Sequence, residues 1–336
     1  SVPLTERDGV SLRTEVRRLS AADGQNAALW AEALDRWREY ILDRRDVKAV
    51  FEDDSGNTVK GSKPHRFHPD YADKQYAKLK DLERGISGDY GKGLHTAMLT
   101  FTASTTDDEG NPLPPVDHLD GLLESWDAIR RALDRALGEH RWERLAILEP
   151  HKSGHIHVHM AVFVEGKVTE STFHPVIEAH VENCDLAQWE AHDLGHSNPK
   201  KRPVSVRHAG SDRDSEDAHP DPAEESDEDE NEEDDDEVLD ELAIYLAEYL
   251  GAYGEDPLEL PEHVQAANAV LWATGRRRWR PSEGANEYMK TEEREPDSDW
   301  ELVGYEKAGT FHRVHENDDK TGGVEKFTTR SRPPPD

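Results

Sequence analysis

The stretch RLAILEPHKSGHIHVHMAVFVEG, residues 144–166, decides how the chain reads. Arg144 to Pro150 has the apolar content of a strand, HKSG (151–154) is a tight turn, and 156–166 is the returning strand of a hairpin. Side chains alternate along a strand, so His155, His157 and His159 are expected on one face, with Ile156, Val158 and Met160 on the other. Two imidazoles at i and i+2 can converge on one divalent metal. Glu149, at the end of the preceding strand, is placed to supply a third ligand; His151 and His155 compete for that role. A carboxylate with two imidazoles suits Mg²⁺ or Mn²⁺ better than Zn²⁺. An ordinary surface strand would waste three polar rings beside a core.

Upstream of the hairpin, HTAMLTFTAS (95–104) alternates and is rich in Thr, which predicts a strand. A Pro- and Gly-bearing loop follows. A helix is expected from about 117 to 138, with Leu119, Leu122, Leu123, Trp126, Ile129 and Leu133 on one face. Strand, helix, strand, turn, strand is the grammar of an antiparallel sheet covered by helices, an α+β domain. Nearer the start, residues 25–43 carry Leu29, Trp30, Leu34, Trp37 and Ile41 at helical spacing, whereas 52–70 read as loop.

Downstream, KKRPVSVR (200–207) is basic and leads into a tract with 18 Asp or Glu and one Arg over residues 211–240. With almost no apolar residues before Val238, that tract reads as a disordered insertion. A helix is expected to resume at Val238 in VLDELAIYLAEYLGAYG, and another around 260–274, before the basic run RRRWR. The chain thus divides into a mostly helical region (1–90), a sheet core with the metal motif (91–208) and an acidic insertion (209–237). A tyrosine helix with a basic helical segment (238–300) and a polar tail (301–336) complete it.

The whole chain of 336 residues has 73 acidic and 41 basic residues, a net charge of −32. The excess outside the acidic tract is spread over the folded parts, which points to a salt-loving host whose proteins stay hydrated through surface carboxylates. Acidity would ordinarily argue against a nucleic-acid partner. It does so weakly at molar salt, where the Debye length is roughly 3 Å. One cysteine, Cys184, excludes a disulfide framework and a cysteine-ligated zinc module. There is no run of 18 apolar residues and no signal-peptide pattern, so a cytoplasmic protein without a membrane partner is expected.

Tyr245 and Tyr249 stand four apart on the expected helix, on the flank of the Leu239, Leu242, Leu246 and Leu250 stripe. Paired tyrosines alone are usually rim packing. With a two-histidine metal site they become the parts of phosphodiester transesterification: a metal stabilises the charge on phosphorus, and a phenolate attacks it.

HxH in a strand, an upstream LTFT strand (Leu99–Thr102) and a downstream YxxxY helix resemble, in that order, the three motifs of the HUH endonucleases. The likeness covers roughly residues 95–280. The two-tyrosine form is similar to bacteriophage gene A-type rolling-circle initiators, and the acidity to the initiators of haloarchaeal plasmids and pleomorphic viruses. The resemblance implies a four- or five-stranded antiparallel sheet. His157 and His159 match the HUH pair, with Phe163 at the strand's bulky position, Glu149 matches the acidic ligand, and Tyr245 and Tyr249 match the nucleophiles. Glu248 stands where relatives often carry Lys. Single-stranded origin DNA is the implied substrate. Host polymerase and helicase are the implied partners, because no GxxxxGK followed by Ser or Thr marks a helicase motor. Arg276, Arg277, Arg278, Trp279 and Arg280 are the candidates for gripping DNA, with Trp279 stacking on a base. A relaxase or transposase of the same superfamily, or a non-catalytic origin-binding protein, would share parts of this pattern.

Overall fold

A computed structural model describes residues 2–17, 28–63, 65–208, 256–289 and 300–313. In chain order its main elements are α1 (Trp30–Arg45), β1 (Val47–Glu52), β2 (Thr58–Ser62), α2 (Pro69–Tyr90) and β3 (Leu94–Phe101). Then come α3 (Pro115–Glu124), α4 (Trp126–Leu137), β4 (Arg141–Pro150), β5 (Ile156–Glu165), α5 (His174–Asn183) and β6 (Val204–His208). The last are α6 (Glu262–Thr274), β7 (Trp279–Pro281), α7 (Glu283–Tyr288), β8 (Glu301–Lys307) and β9 (Thr310–Arg313). The fold is α+β, with two antiparallel sheets, one of five strands in the order β6-β3-β5-β4-β7 and one of four in the order β2-β1-β8-β9.

The larger sheet is covered on both faces, which is why its central strand β5 runs on as MAVFV without polar interruption. Val158, Met160, Val162 and Val164 face the larger core, with Trp37 and Ile41 of α1, Leu119 of α3, Leu133 of α4, Ile177 of α5 and Trp272 of α6. Ala161 and Phe163 face the other way, together with Leu145 and Ile147 of β4, onto Leu79, Leu82 and Ile86 of α2 and Ala285 of α7. His157 and His159 belong by alternation to this second face, at the end of the sheet.

Several elements depart from the sequence reading. The single helix expected over 117–138 is two, because the side chain of Ser125 turns away from solvent: its Oγ donates to the Leu122 carbonyl at 3.2 Å and lies 2.8 Å from His180 Nδ1. Part of the stretch read as loop over 52–70 is a β-hairpin. Its turn is held by Asp53 Oδ1, which accepts from the Ser55 and Asn57 amides at 3.0 and 2.8 Å. The start of the tail, 301–313, forms β8 and β9 and pairs with β1. Lys60–Glu306 and Lys307–Asp43 ion pairs tie this sheet together and to α1. The strands are short and polar, so their pairing over long sequence separations leaves little local signal.

The basic run is not a helical segment. Gly275 at φ 68° ends α6 in the left-handed conformation, and the chain continues as a strand on the edge of β4. The acidic insertion, the tyrosine helix and residues 314–336 lie outside the described residues.

Candidate metal centre

The β4–β5 hairpin closes through two backbone bonds, His151 N to His155 O at 2.7 Å and Gly154 N to His151 O at 2.8 Å. Gly154 sits at φ +83°, where a Cβ would meet the Trp30 ring at 2.9 Å. This tight turn fixes the register, and with it the site: Glu149 stands opposite His157, and Ile147 opposite His159.

Glu149 Oε2 is 2.9 Å from His157 Nε2 and 2.6 Å from His159 Nε2. One ligating atom from each of the three residues lies within 4.8 Å of the others, the one such group among the described residues. Burial alone would raise the Glu149 carboxyl, but the hydrogen bonds from His157 and His159, and their charge, outweigh it and hold the group down at about 2. Burial lowers His159, against the pull of Glu149. Thr100 Oγ1, opposite His159 on β3, lies 3.1 Å from His159 Nδ1 and fixes the ring so that Nε2 points at the carboxylate. An ionised carboxylate facing two Nε2 atoms is a donor set that fits a divalent cation taking oxygen and nitrogen ligands.

The expectation that three histidines share this face is corrected. His155 precedes the paired strand, and its ring turns to the larger core. There Nε2 donates to the Leu113 carbonyl at 2.9 Å and the ring lies 5.1 Å from Trp30 and 4.7 Å from His118. His151 lies in the turn, with Nδ1 2.9 Å from Ser153 Oγ and its ring 5.9 Å from His157. Of the three candidate third ligands, the structure brings Glu149 to the histidine pair.

Behind the site, two histidines that the sequence reading passed over hold the exit of β3. His180 Nε2 donates to the Thr102 carbonyl at 2.9 Å, while the Thr102 amide donates to His192 Nε2 at 3.2 Å. Both rings are buried. Nothing in their spacing marks them, since they come from distant turns of the chain.

Strand alternation divides the basic run. Trp279 stands opposite Ile147, hence in the same row across the sheet as His159, and packs partly against the α2–α7 side. Arg280 points to the other face, 5.4 Å over the Trp126 ring beside Arg144 at 5.1 Å. Arg276 pairs with Asp120, Arg277 is exposed, and Arg278 bonds Asn268 Oδ1 of α6. Tyr245 and Tyr249 lie outside the described residues.

Fold and site together define an α+β protein whose central hairpin presents a two-histidine, one-carboxylate group suited to a divalent metal. A family model described as "Putative rep protein (DUF1424)" matches residues 4–336, and the chain belongs to that family. The chain is similar to an "Uncharacterized 36 kDa protein" of Halobacterium salinarum, 41% identical over 336 residues and 99% of each chain. It is also similar to an "Uncharacterized 36 kDa protein" of Halobacterium sp. (strain GN101), 36% identical over 339 residues and 97% of each chain. Both come from halophilic archaea, which supports reading the acid excess as an adaptation to salt. No solved structure matches. No helix among the described residues is long and apolar enough to cross a membrane.

Proposed function

We propose that this protein starts rolling-circle replication by nicking single-stranded origin DNA through tyrosine transesterification, as an HUH endonuclease of the two-tyrosine type. The observation that carries the reading is the convergence of Glu149, His157 and His159 on one point. The rep description of the family supports the biological setting.

Glu149 Oε2, His157 Nε2 and His159 Nε2 would hold Mg²⁺ or Mn²⁺, which when bound supplies positive charge against the scissile phosphate. Thr100 keeps His159 oriented, and the Glu149 charge is available throughout the neutral range. The phenolate of Tyr245 or Tyr249 attacks phosphorus; the bond to the 3′ oxygen breaks, and that oxygen takes a proton to become a free 3′-OH. The 5′ end stays on the protein as a phosphotyrosine, which conserves the energy of the broken bond. The polymerase extends the 3′-OH. The second tyrosine cleaves the regenerated origin, and the new 3′-OH resolves the first linkage. Trp279, in the row of His159, offers a ring for an unpaired base near the cut.

The test is incubation with labelled single-stranded DNA of the host replicon's candidate origin, in Mn²⁺ and high salt. The reading predicts a covalent adduct on a denaturing gel that survives either Tyr245→Phe or Tyr249→Phe and vanishes in the double variant. Binding without an adduct under any metal would instead make it an origin-binding protein.

A further inference from the structure

We propose that Arg144 and Arg280, stacked together on Trp126, hold a phosphodiester of single-stranded DNA on the face of the sheet opposite the metal site. The identity of that strand rests on the nicking reading above. The two arginines are diagonal neighbours across β4 and β7, since Arg280 stands opposite Ala146, two residues on from Arg144. Both guanidinium groups lie over the ring of Trp126, the first residue of α4, at 5.1 Å for Arg144 and 5.4 Å for Arg280. Arg144 Nη1 also donates to the Arg280 carbonyl at 3.3 Å, which joins the pair directly. All three residues are half-buried, and Trp126 packs at the rim of the larger core.

The cluster departs from the charge pattern of a chain whose acidic residues outnumber its basic ones 73 to 41. Neighbouring arginines follow that pattern: Arg130 pairs with Asp127, and Arg276 with Asp120. Among the described residues neither Arg144 nor Arg280 has a carboxylate at ion-pair distance; Asp134 and Glu143 act on Arg144 from further away. No hydrogen bond among the described residues engages the Arg280 guanidinium. Stacking on a ring uses the flat face of a guanidinium and leaves its N–H edge for an oxygen acceptor. The non-bridging oxygens of a phosphodiester match that planar fork. Exposed basic side chains lose their hold at molar salt, where the Debye length is roughly 3 Å, whereas partly buried charges are screened less. Trp126 orders both forks before the strand arrives, so less freedom is lost on binding.

The path of the strand follows from alternation. β7 is an edge strand of the five-stranded sheet, and its successive side chains leave on opposite faces. Trp279 shares the row of His159 on the metal side, and Arg280 is next on the other side. A strand stacked on Trp279 reaches the arginine pair by crossing the open edge of β7. The pair binds and orients the strand away from the reacting phosphorus and takes no part in the chemistry.

The experiment uses the full chain carrying both Tyr245→Phe and Tyr249→Phe, so that binding is read without cleavage. In Mn²⁺ and high salt, a single neutral methylphosphonate linkage is walked along a fluorescent single-stranded oligonucleotide of the candidate origin. One charge-assisted contact is worth about tenfold in affinity. The parent should lose about tenfold at one linkage outside the nick site. With Arg144→Gln and Arg280→Gln together, the natural strand should bind about tenfold more weakly and lose nothing further at that linkage, with Mn²⁺ affinity retained. Arg280→Gln alone removes a group that bonds nothing else in the described fold, and should show the same loss in smaller measure. Trp126→Leu keeps both charges but releases the stack, and should blunt the response at that linkage. Arginine variants that respond to the walk as their parent does overturn the proposal, as does a parent indifferent to every linkage outside the nick site. Nicking and binding intact in the two-arginine variant with its tyrosines restored would sink this inference and leave the nicking reading standing. A parent that binds no strand overturns both.

Discussion

Glu149 reaches diagonally across the hairpin to His159 at 2.6 Å, although its direct cross-strand partner is His157. One carboxylate oxygen thereby serves two imidazoles on successive same-face positions of β5, and the three donors close on a single point.

That arrangement should bind Mn²⁺ in the isolated protein. Titration calorimetry is expected to show one site per chain that is lost in Glu149→Ala, His157→Ala and His159→Ala. Thr100→Val leaves the three ligands in place but frees the His159 ring, and should weaken the site by about 10–100-fold. Unchanged affinity in Thr100→Val would remove Thr100 from the site.

The turn that sets the register should be intolerant of a side chain. Gly154→Ala places a Cβ in a left-handed conformation and against Trp30, at a cost of about 1–2 kcal/mol for the backbone alone. Urea unfolding at fixed high salt is expected to show at least that loss, together with weaker Mn²⁺ binding. A variant as stable as its parent would mean that the hairpin closes by another route.

The hairpin and the convergence of Glu149, His157 and His159 were legible in the sequence because both depend on local rules. Alternation puts His157 and His159 on one face, and a four-residue turn brings Glu149 back opposite them. Alternation misled for His155, which precedes the paired strand and is free to rotate its ring onto Trp30 and His118. The bonds that Arg66 donates to the Leu271 and Arg276 carbonyls were not legible, since these partners lie some 200 residues away in the chain. The second sheet was missed for the same reason: β1 pairs with β8, beyond residue 300, and its other neighbour, β2, carries almost no apolar pattern. The break at Ser125 likewise depends on His180, a partner from a different helix.

Acid should destabilise the fold before the carboxylates are neutralised. Burial lowers His180 to about 4 from its ordinary 6.5, so the unfolded chain takes up a proton at a pH where the folded one does not. Its contribution is complete above pH 6.5 and is lost progressively as pH falls from 6.5 to 4, by on the order of 3 kcal/mol. His118, also at about 4, acts in the same direction. Urea midpoints at constant salt should fall between pH 7 and pH 5, and His180→Gln should flatten part of that slope. A midpoint independent of pH across this window would contradict the burial assigned to these rings.

The central claim is that tyrosine oxygen becomes bonded to DNA phosphorus, and mass spectrometry of the adduct tests it most directly. Protein incubated with the origin strand and Mn²⁺ would be digested with nuclease and protease, and the phosphorylated peptide sequenced. The account predicts a phosphotyrosine at Tyr245 or Tyr249, absent when His157 and His159 are both replaced by Ala. Phosphate on any other residue, or cleaved DNA with no protein-linked phosphate, would contradict it.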